Sequence, residues 1–191
     1  MNDIPSRDDH PILADYTVRS ATAADAPGIA RVQVDGWKVS YPGIVPDEYL
    51  AALSYKTEYE SRRARLEAPE PGERTFVATD PFGWIVGFVD VGPARDLMSY
   101  EGELYAIYVM KKYQGLGIGA WLLETAVRAQ LAAGRRSMLL WVLADAPARG
   151  FYEAYGAERC GQKPRQIGGK TLEEVAYGWS DLAALLDADE D

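Results

Sequence analysis

YQGLGIGA, residues Tyr113 to Ala120, lies between a predicted buried strand and a predicted helix, and it carries three glycines at alternate positions. Glycines leave out side chains where another group must approach the backbone closely. The start of a helix adds unpaired N–H groups and the positive end of the helix dipole, which together attract anions. The stretch therefore predicts a cradle for a phosphate or pyrophosphate, or else a tight turn beside a closely packed helix.

Two other glycine-rich phosphate sites do not fit these residues. A P-loop requires Lys followed by Ser or Thr after its last glycine, whereas Ala120 and Trp121 stand here. A dinucleotide fingerprint requires the spacing Gly-x-Gly-x-x-Gly at the start of a βαβ unit. The spacing here is Gly-x-Gly-x-Gly, and it comes late in the chain. Neither motif is present.

Buried strands and helices are predicted on both sides of this turn. Before it, the segment Glu103–Val109 carries mostly apolar residues on both faces, which predicts a central strand covered on both sides. After it, an amphipathic pattern predicts a helix from Gly117 to Ala133. A buried strand at Ser137–Leu143 follows, and then a short helix that Asp145 caps and that ends near Tyr155.

The rest of the chain is predicted to supply a first strand, helical segments and two hairpins. Asp80-Pro81-Phe82-Gly83 has the residues of a type I turn, which predicts an antiparallel hairpin. The predicted segments are a strand at Asp15–Arg19, a helix from Thr22 to Trp37 or Ser40, a helical segment from Pro46 to Leu66 with a break near Ser54, and strands at Arg74–Thr79, Trp84–Val91, Glu158–Gln166 and Thr171–Trp179. This order predicts an α/β fold whose mixed sheet has helices on both faces.

Composition limits the class of protein. The chain has 191 residues, 48% apolar and 26% charged, which is typical of one globular domain. Its net charge of −9 argues against nucleic-acid binding, which needs a positive surface. No apolar run is long enough for a membrane span and no secretory signal is visible, so a cytoplasmic location is expected. With Cys160 and His10 as the only residues of their types, no disulfide, histidine triad or metal site is expected.

The segment from Gln114 to Gly119 resembles the acyl-CoA-binding signature of the GNAT superfamily of N-acetyltransferases. ELYAIYV at Glu103–Val109 resembles the fourth strand of that family, and FYEAYGA at 151–157 resembles its second cofactor motif. The resemblance implies a mostly antiparallel sheet of six to seven strands. The likeness covers about residues 15–180, and we expect one GNAT-like domain over residues 15–186. Composition predicts a flexible, Pro-interrupted tail at 1–14 and an acidic tail at 187–191.

Acetyl-CoA is the cosubstrate that the resemblance implies. Backbone N–H groups of the glycine-rich turn would hold its pyrophosphate, and the edge of the preceding strand would pair with the pantetheine amides. Gln114 stands where the family usually has arginine, and Asp145 stands where it often has asparagine. Asp145 would either cap its helix or contact the pantetheine arm without donating a hydrogen bond. The implied cofactor-binding residues are Ile107, Tyr108, Val109, Gln114, Gly115, Leu116, Gly117, Ile118, Gly119, Ala120, Asp145 and Arg149.

Two catalytic residues are implied as well. Tyr152 matches the family tyrosine that protonates the departing CoA thiolate, and an ordinary tyrosine pKa of about 10 keeps it protonated at neutral pH. Glu103 lies where the family often places a general base for the attacking amine. The alternatives are packing against Phe151 for Tyr152 and a surface position at a strand end for Glu103. Direct attack in a ternary complex is expected, because Cys160 lies outside these motifs.

The expected acceptor is a primary amine on a small molecule or on a protein. Aromatic side chains bind such groups by cation–π contact, and in this fold the acceptor lies against the first helices and the strand hairpin. Trp37, Tyr41 and Tyr105 are the predicted acceptor-binding residues, with packing roles as the alternative. Asp35 and Glu48 would attract a cationic acceptor. A homodimer is a further option that the resemblance implies.

Two other functions stay open on the sequence. A non-catalytic acyl-CoA-binding or sensing module would keep the glycine-rich turn, whereas the presence of both Glu103 and Tyr152 favours an enzyme. A nucleotide-binding protein would only mimic the motif, and ATP rather than CoA would stabilise it. An acetyl-CoA-dependent N-acetyltransferase is the function that the sequence favours.

Overall fold

The computed structural model describes residues 13–96 and 99–186. Within them, one seven-stranded sheet has the order β1-β2-β3-β4-β5-β7-β6. The strands are β1 Thr17–Ser20, β2 Arg74–Thr79, β3 Ile85–Pro93, β4 Gly102–Val109, β5 Met138–Leu143, β6 Glu158–Ile167 and β7 Lys170–Trp179. The helices are α1 Ala26–Ser40, α2 Asp47–Ala52, α3 Tyr55–Glu67, α4 Ile118–Ala132 and α5 Arg149–Ala154. No helix of this described part is long and apolar enough to cross a membrane.

The predicted fold class is confirmed. Neighbouring strands are antiparallel except β4 and β5, which are parallel. On one face of the sheet, Ile29 and Val32 of α1 pack against Phe88 of β3. On the other face, Leu122 of α4 packs in a larger core that includes Val89, the next residue of the same strand. Because successive side chains of β3 point to opposite faces of the sheet, Phe88 packs with α1 and Val89 packs in the core with α4.

Local sequence signals set several element boundaries as predicted. Ser54 separates α2 from α3 and caps α3, because its Oγ accepts a hydrogen bond from the N–H of Thr57 at 3.3 Å. The turn between β2 and β3 is closed by the N–H of Gly83, which donates to the carbonyl of Asp80 at 2.9 Å. Both the helix break and the hairpin follow from residues at the boundary itself.

The predicted tails lie almost entirely outside the described residues. Only Leu13 and Ala14 of the segment 1–14 are described, and none of 187–191 is. Leu13 is fully buried in the larger core, and its carbonyl accepts a hydrogen bond from the N–H of Tyr16 at 3.0 Å. Packed structure thus begins before the predicted boundary at residue 15.

A bulge in β4 sets which side chains face each side of the sheet. Ala106 pairs with Asp90 of β3 while Leu104 pairs with Val91, so that Tyr105 is an extra residue on β4. As a result Leu104 lies in the same core as Ile107, although simple alternation would put them on opposite faces. The bulge reverses the orientation of every residue that precedes it in β4.

A buried ion pair joins α3 to the sheet. Asp90 of β3 is 0% exposed, and one of its carboxylate oxygens accepts a hydrogen bond from Nη1 of Arg62 at 2.5 Å. The other oxygen accepts from the hydroxyl of Thr75 at 2.6 Å. Arg62 also donates to Glu58 at 3.0 Å and lies over the ring of Phe88 at 4.5 Å. These contacts satisfy a charge pair that would otherwise be costly to bury.

Candidate active site

The gap between β4 and β5 is the centre of the candidate site. The two strands pair with each other only between Gly102–Leu104 and Met138–Leu140. Beyond Leu104 and Leu140 they are no longer paired with each other. The remaining half of β4 pairs with β3 alone, which leaves one backbone edge free. A cavity of about 1010 Å³ occupies the region where the strands part. Such a gap admits an extended ligand that pairs with the free edge.

The glycine-rich turn opens onto this cavity. Gly115 and Gly117 have φ angles of +77° and +91°, in the left-handed region that glycine adopts without strain. Gly117 is the N-cap of the fifteen-residue helix α4, whose first N–H groups have no partner within the helix. The side chain of Gln114 donates to the carbonyl of Val109 at 3.0 Å, which fastens the turn to the end of β4. The turn has the backbone geometry of an anion cradle.

The structure brings most of the predicted cofactor-binding residues to one cavity. Those that line it are Ile107, Tyr108, Val109, Gln114, Gly115, Gly117, Gly119 and Ala120. Leu116 and Ile118 do not line it, and Ile118 is buried in the larger core instead. These two residues alternate with the glycines along the turn, so their side chains point away from the space that the glycines leave open.

Asp145 and Arg149 lie outside the cavity lining. Asp145 is exposed, and the helix-capping role predicted for it is wrong, because α5 begins at Arg149 with Ala148 as its N-cap. The side chain of Arg149 donates a hydrogen bond to the carbonyl of Ala144, which lies four residues before the N-cap Ala148. Turns between β5 and α5 move the helix start beyond the reach of Asp145.

Tyr152 lines the cavity from α5 and is only 6% exposed. Its ring packs edge to face against Phe151, with the ring centres 5.4 Å apart. Burial raises the pKa of Tyr152 well above its ordinary value, and the neighbouring Tyr41 raises this pKa further. A buried tyrosine with a raised pKa stays protonated and can serve as a proton donor.

Two more tyrosines approach Tyr152 from other elements. Tyr41, at the end of α1, and Tyr108, in β4, both line the cavity, and burial raises the pKa of each. The close approach of α1 to Tyr108 depends on Gly36, because a Cβ there would lie 2.6 Å from the Tyr108 ring. The three neutral hydroxyls make this end of the cavity polar, and the ion pair of Arg165 with Glu174 lies close enough to affect the pKa of Tyr41.

The predicted acceptor residues divide between the cavity and the core around it. Tyr41 and Tyr105 line the cavity, whereas Trp37 does not. Trp37 packs against the rings of Tyr41 and Tyr49, at 4.9 and 5.9 Å between ring centres. Tyr105 is held by its hydroxyl, which donates to the carbonyl of Pro93 at 2.7 Å. Trp37 thus supports Tyr41 rather than contacting the cavity.

Glu103 is 1% exposed and lies outside the cavity lining. Its carboxylate accepts hydrogen bonds from Nη2 of Arg95 at 2.5 Å, from Nε of Arg95 at 3.1 Å and from the Arg95 backbone N–H at 3.0 Å. The Arg95 guanidinium lies 4.2 Å from the centre of the Tyr105 ring. The general-base role predicted for Glu103 has no geometric support, and the alternative of a surface acid is wrong because the residue is buried.

The sequence does not predict Trp141 as a site residue, whereas it predicts Asp35 as a group that attracts a cationic acceptor. Trp141 of β5 lines the cavity, and among the described residues its buried indole N–H has no hydrogen-bond partner. Asp35 of α1 also lines the cavity. Both lie next to features that could be located in advance, the parting of the strands and the end of α1, but their orientation depends on tertiary packing.

No metal site is visible in the described part of the chain. Residues 13–96 and 99–186 hold no group of three or more His, Cys, Asp or Glu side chains that could bind a metal ion.

Comparison with known proteins places this site in a family. Residues 71–156 match the model of the acetyltransferase (GNAT) domain. The chain is 40% identical over 170 residues to the uncharacterized N-acetyltransferase YuaI of Bacillus subtilis, a match that covers 88% of this chain and 95% of that protein.

Solved structures share the fold at low sequence identity. The PaiA N-acetyltransferase of Thermoplasma acidophilum in complex with coenzyme A has a TM-score of 0.62 at 18% identity, over 86% of this chain and 99% of that one. YncA of Salmonella typhimurium, solved with its cofactor acetyl-CoA, has a TM-score of 0.61 at 19% identity, over 88% of this chain and 94% of that one. Together with the family match and the close relative, they lead to one conclusion. The chain belongs to the GNAT family of N-acetyltransferases.

Proposed function

We propose that this acetyltransferase transfers the acetyl group of acetyl-CoA to a primary amine by direct attack within a ternary complex. One observation carries the proposal: the glycine-rich N-terminus of α4 and the buried hydroxyl of Tyr152 open onto the same cavity, across the gap between β4 and β5. The cavity thus offers an anion cradle and a proton donor to one extended ligand.

The residues of the cavity fit acetyl-CoA. Backbone N–H groups of the turn Gln114–Ala120 would hold the pyrophosphate, and the free edge at Ile107–Val109 would pair with the pantetheine amides. A Cβ at Gly115 would meet nothing within 4 Å, so the space beside the turn is open. Lys111 and Lys112 are exposed beside the turn and line the same cavity, where they add positive charge for the phosphates.

The proposed chemistry uses few protein groups. A neutral amine attacks the thioester carbonyl, so that a C–N bond forms, the C–S bond breaks and the thiolate takes a proton from Tyr152. The surplus proton of the amine leaves to water, and a proton from water restores the hydroxyl of Tyr152. Glu103 has no part in these steps, because Arg95 occupies its carboxylate. Cys160, the only cysteine in the chain, is not among the cavity-lining residues, which supports direct attack rather than a covalent enzyme intermediate.

Thiol release tests this proposal against the non-catalytic alternative. We expect CoA thiol to appear only when acetyl-CoA and an amine are both present, together with an equal amount of acetylated amine. A binding or sensing module would bind acetyl-CoA without releasing thiol when amines are added. That second result would contradict the transfer reaction while leaving the cradle in place.

Gly115→Ala should weaken acetyl-CoA binding by about tenfold. An L-residue in the left-handed region costs roughly 1–2 kcal/mol, so the turn would relax away from the conformation that aims its N–H groups at a phosphate. The dissociation constant from calorimetric titration measures the effect.

Gly134→Ala is the matched control for this substitution. Gly134 follows the other end of α4, has a φ of +78° against +77° for Gly115, and has equally open space around its Cβ position. Both variants should lose similar stability, and only Gly115→Ala should lose affinity. Equal affinities for the two variants would show that the turn does not bind the cofactor.

A further inference from the structure

Asp35 is the one acidic residue among the described residues that line the main cavity. It lies in the second-last turn of α1, and its Oδ1 accepts a hydrogen bond from the hydroxyl of Tyr55 at 2.6 Å. That contact orients the carboxylate, and its other oxygen has no hydrogen bond from the described part of the chain. A fixed carboxylate with a free oxygen is a binding group for an ammonium.

The end of α1 adds negative potential between Asp35 and Tyr41. The helix has fifteen residues and ends at Ser40, and its last turn lines the cavity through Lys38, Val39 and Ser40. The last carbonyl groups of α1 and the negative end of its dipole therefore lie between Asp35 and Tyr41 on the cavity side. Asp35 and the end of α1 both favour a cationic ligand along this side of the cavity.

The other end of the cavity suits an uncharged group. Tyr41, Tyr108 and Tyr152 meet there, and they carry neutral hydroxyls. Tyr41 is six residues after Asp35, which corresponds to about 9 Å along the helix axis at 1.5 Å per residue. An attacking amine must be neutral, whereas a second amine at this distance would keep its charge. One ligand can satisfy both ends if it carries two amino groups.

We propose that the acceptor is a short aliphatic diamine, whose remote ammonium is bound by Asp35 while its other amino group faces the thioester. This inference rests on the proposed transfer reaction and specifies its substrate class. Asp35 is then a specificity-determining residue, and the length of the acceptor is set by the distance between Asp35 and the three tyrosines.

Lys38 is positively charged and would repel the ammonium of such a ligand. It lines the cavity three residues after Asp35, and its Nζ lies 5.3 Å from the centre of the Tyr55 ring, although it forms no salt bridge with Asp35 within 4 Å. Lys111 and Lys112 lie at the cofactor end, next to the glycine-rich turn. Removing Lys38 should therefore improve diamine binding, which is the opposite of the effect of removing the Asp35 charge.

The test compares 1,4-diaminobutane with n-butylamine, which has the same carbon chain and lacks the second ammonium. Thiol release gives kcat/KM for each amine in the wild type, Asp35→Asn, Lys38→Gln and Glu48→Gln. Glu48 is a matched control, since it is an exposed acid on α2 that does not line the cavity. Acetyl-CoA-induced stabilisation, measured for every variant, shows that each one is folded and binds the cofactor.

We expect the wild type to prefer the diamine by about tenfold to a hundredfold, as for a charge-assisted hydrogen bond. Asp35→Asn should bring the ratio of the two kcat/KM values close to one, Lys38→Gln should increase it, and Glu48→Gln should leave it unchanged. A wild-type ratio near one, or a preference that Asp35→Asn retains, would overturn the diamine assignment alone. No thiol release with any amine would overturn the transfer reaction and the assignment together.

Discussion

Tyr152→Phe should lower kcat by about a hundredfold or more and change the dissociation constant of acetyl-CoA by no more than about twofold. General acid catalysis contributes roughly 10²–10⁴ in rate, and the substitution removes only the hydroxyl. The ring stays in place, because its packing against Phe151 and the surrounding core does not depend on the oxygen. Steady-state thiol release and calorimetric titration measure the two quantities separately.

Tyr155→Phe is the control within the same helix region. Tyr155 also packs against Phe151, with ring centres 4.9 Å apart, and borders the same cavity. Loss of its hydroxyl should leave turnover within a few-fold of the wild type. If Tyr152→Phe behaved in the same way, the departing thiolate would have to take its proton from another group or from water.

The pKa of Tyr152 also determines how the rate of the transfer reaction depends on pH. A proton donor is active below its pKa and inactive above it, and burial raises the pKa of Tyr152 above the ordinary tyrosine value of about 10. The rate should therefore show no descending limb up to about pH 10. It should rise with pH over the range in which the acceptor amine loses its proton.

Arg62→Leu should destabilise the fold by about 3 kcal/mol, because it removes the cation that is hydrogen-bonded to the buried Asp90. In the described part of the chain, Asp90 then keeps only the more distant ion-pair partner Arg65, at 3.7 Å. Asp90 is fully buried, and the Thr75 hydroxyl would be the nearest remaining hydrogen-bond donor to its carboxylate. In a chain of this size each kcal/mol corresponds to roughly 2–4 °C in the thermal midpoint. A loss of about 6 °C or more is therefore expected in thermal unfolding.

Arg63→Leu, one residue further along α3, is the matched control. Arg63 forms an ion pair with Glu67 at 2.7 Å, but both side chains are about half exposed. Exposed pairs contribute roughly 0–1 kcal/mol, so this variant should melt close to the wild type. Equal midpoints for the two variants would show that the Arg62–Asp90 pair contributes no more than a surface pair.

Features with a local cause were predictable from the sequence. The strand β2 was placed at Arg74–Thr79 by its composition, and the break at Ser54 by the residue that caps α3. The glycine-rich turn was located by its spacing, since two of its glycines take the left-handed backbone that only glycine adopts easily. In each case the residues that cause the feature lie within it.

Features that depend on distant segments were not predictable. The bulge at Tyr105 arises from the register between β4 and β3, and it reverses the orientation of Glu103. The pairing of Glu103 with Arg95 follows from that orientation, which is why a residue predicted as a base lies outside the cavity. The orientation of the Asp35 carboxylate likewise depends on Tyr55, twenty residues away on another helix. Sequence spacing carries no signal for these contacts.

The binding of acetyl-CoA at the glycine-rich turn is tested most directly by the thermal midpoint of the wild type with acetyl-CoA, CoA or ATP at equal concentration. A ligand at about 100 times its dissociation constant stabilises the folded state by roughly 2.7 kcal/mol, or about 5 °C or more in a chain of this size. We expect this shift with acetyl-CoA and CoA and not with ATP. A shift with ATP alone, or no shift with millimolar acetyl-CoA, would contradict the cofactor site and the transfer reaction built on it.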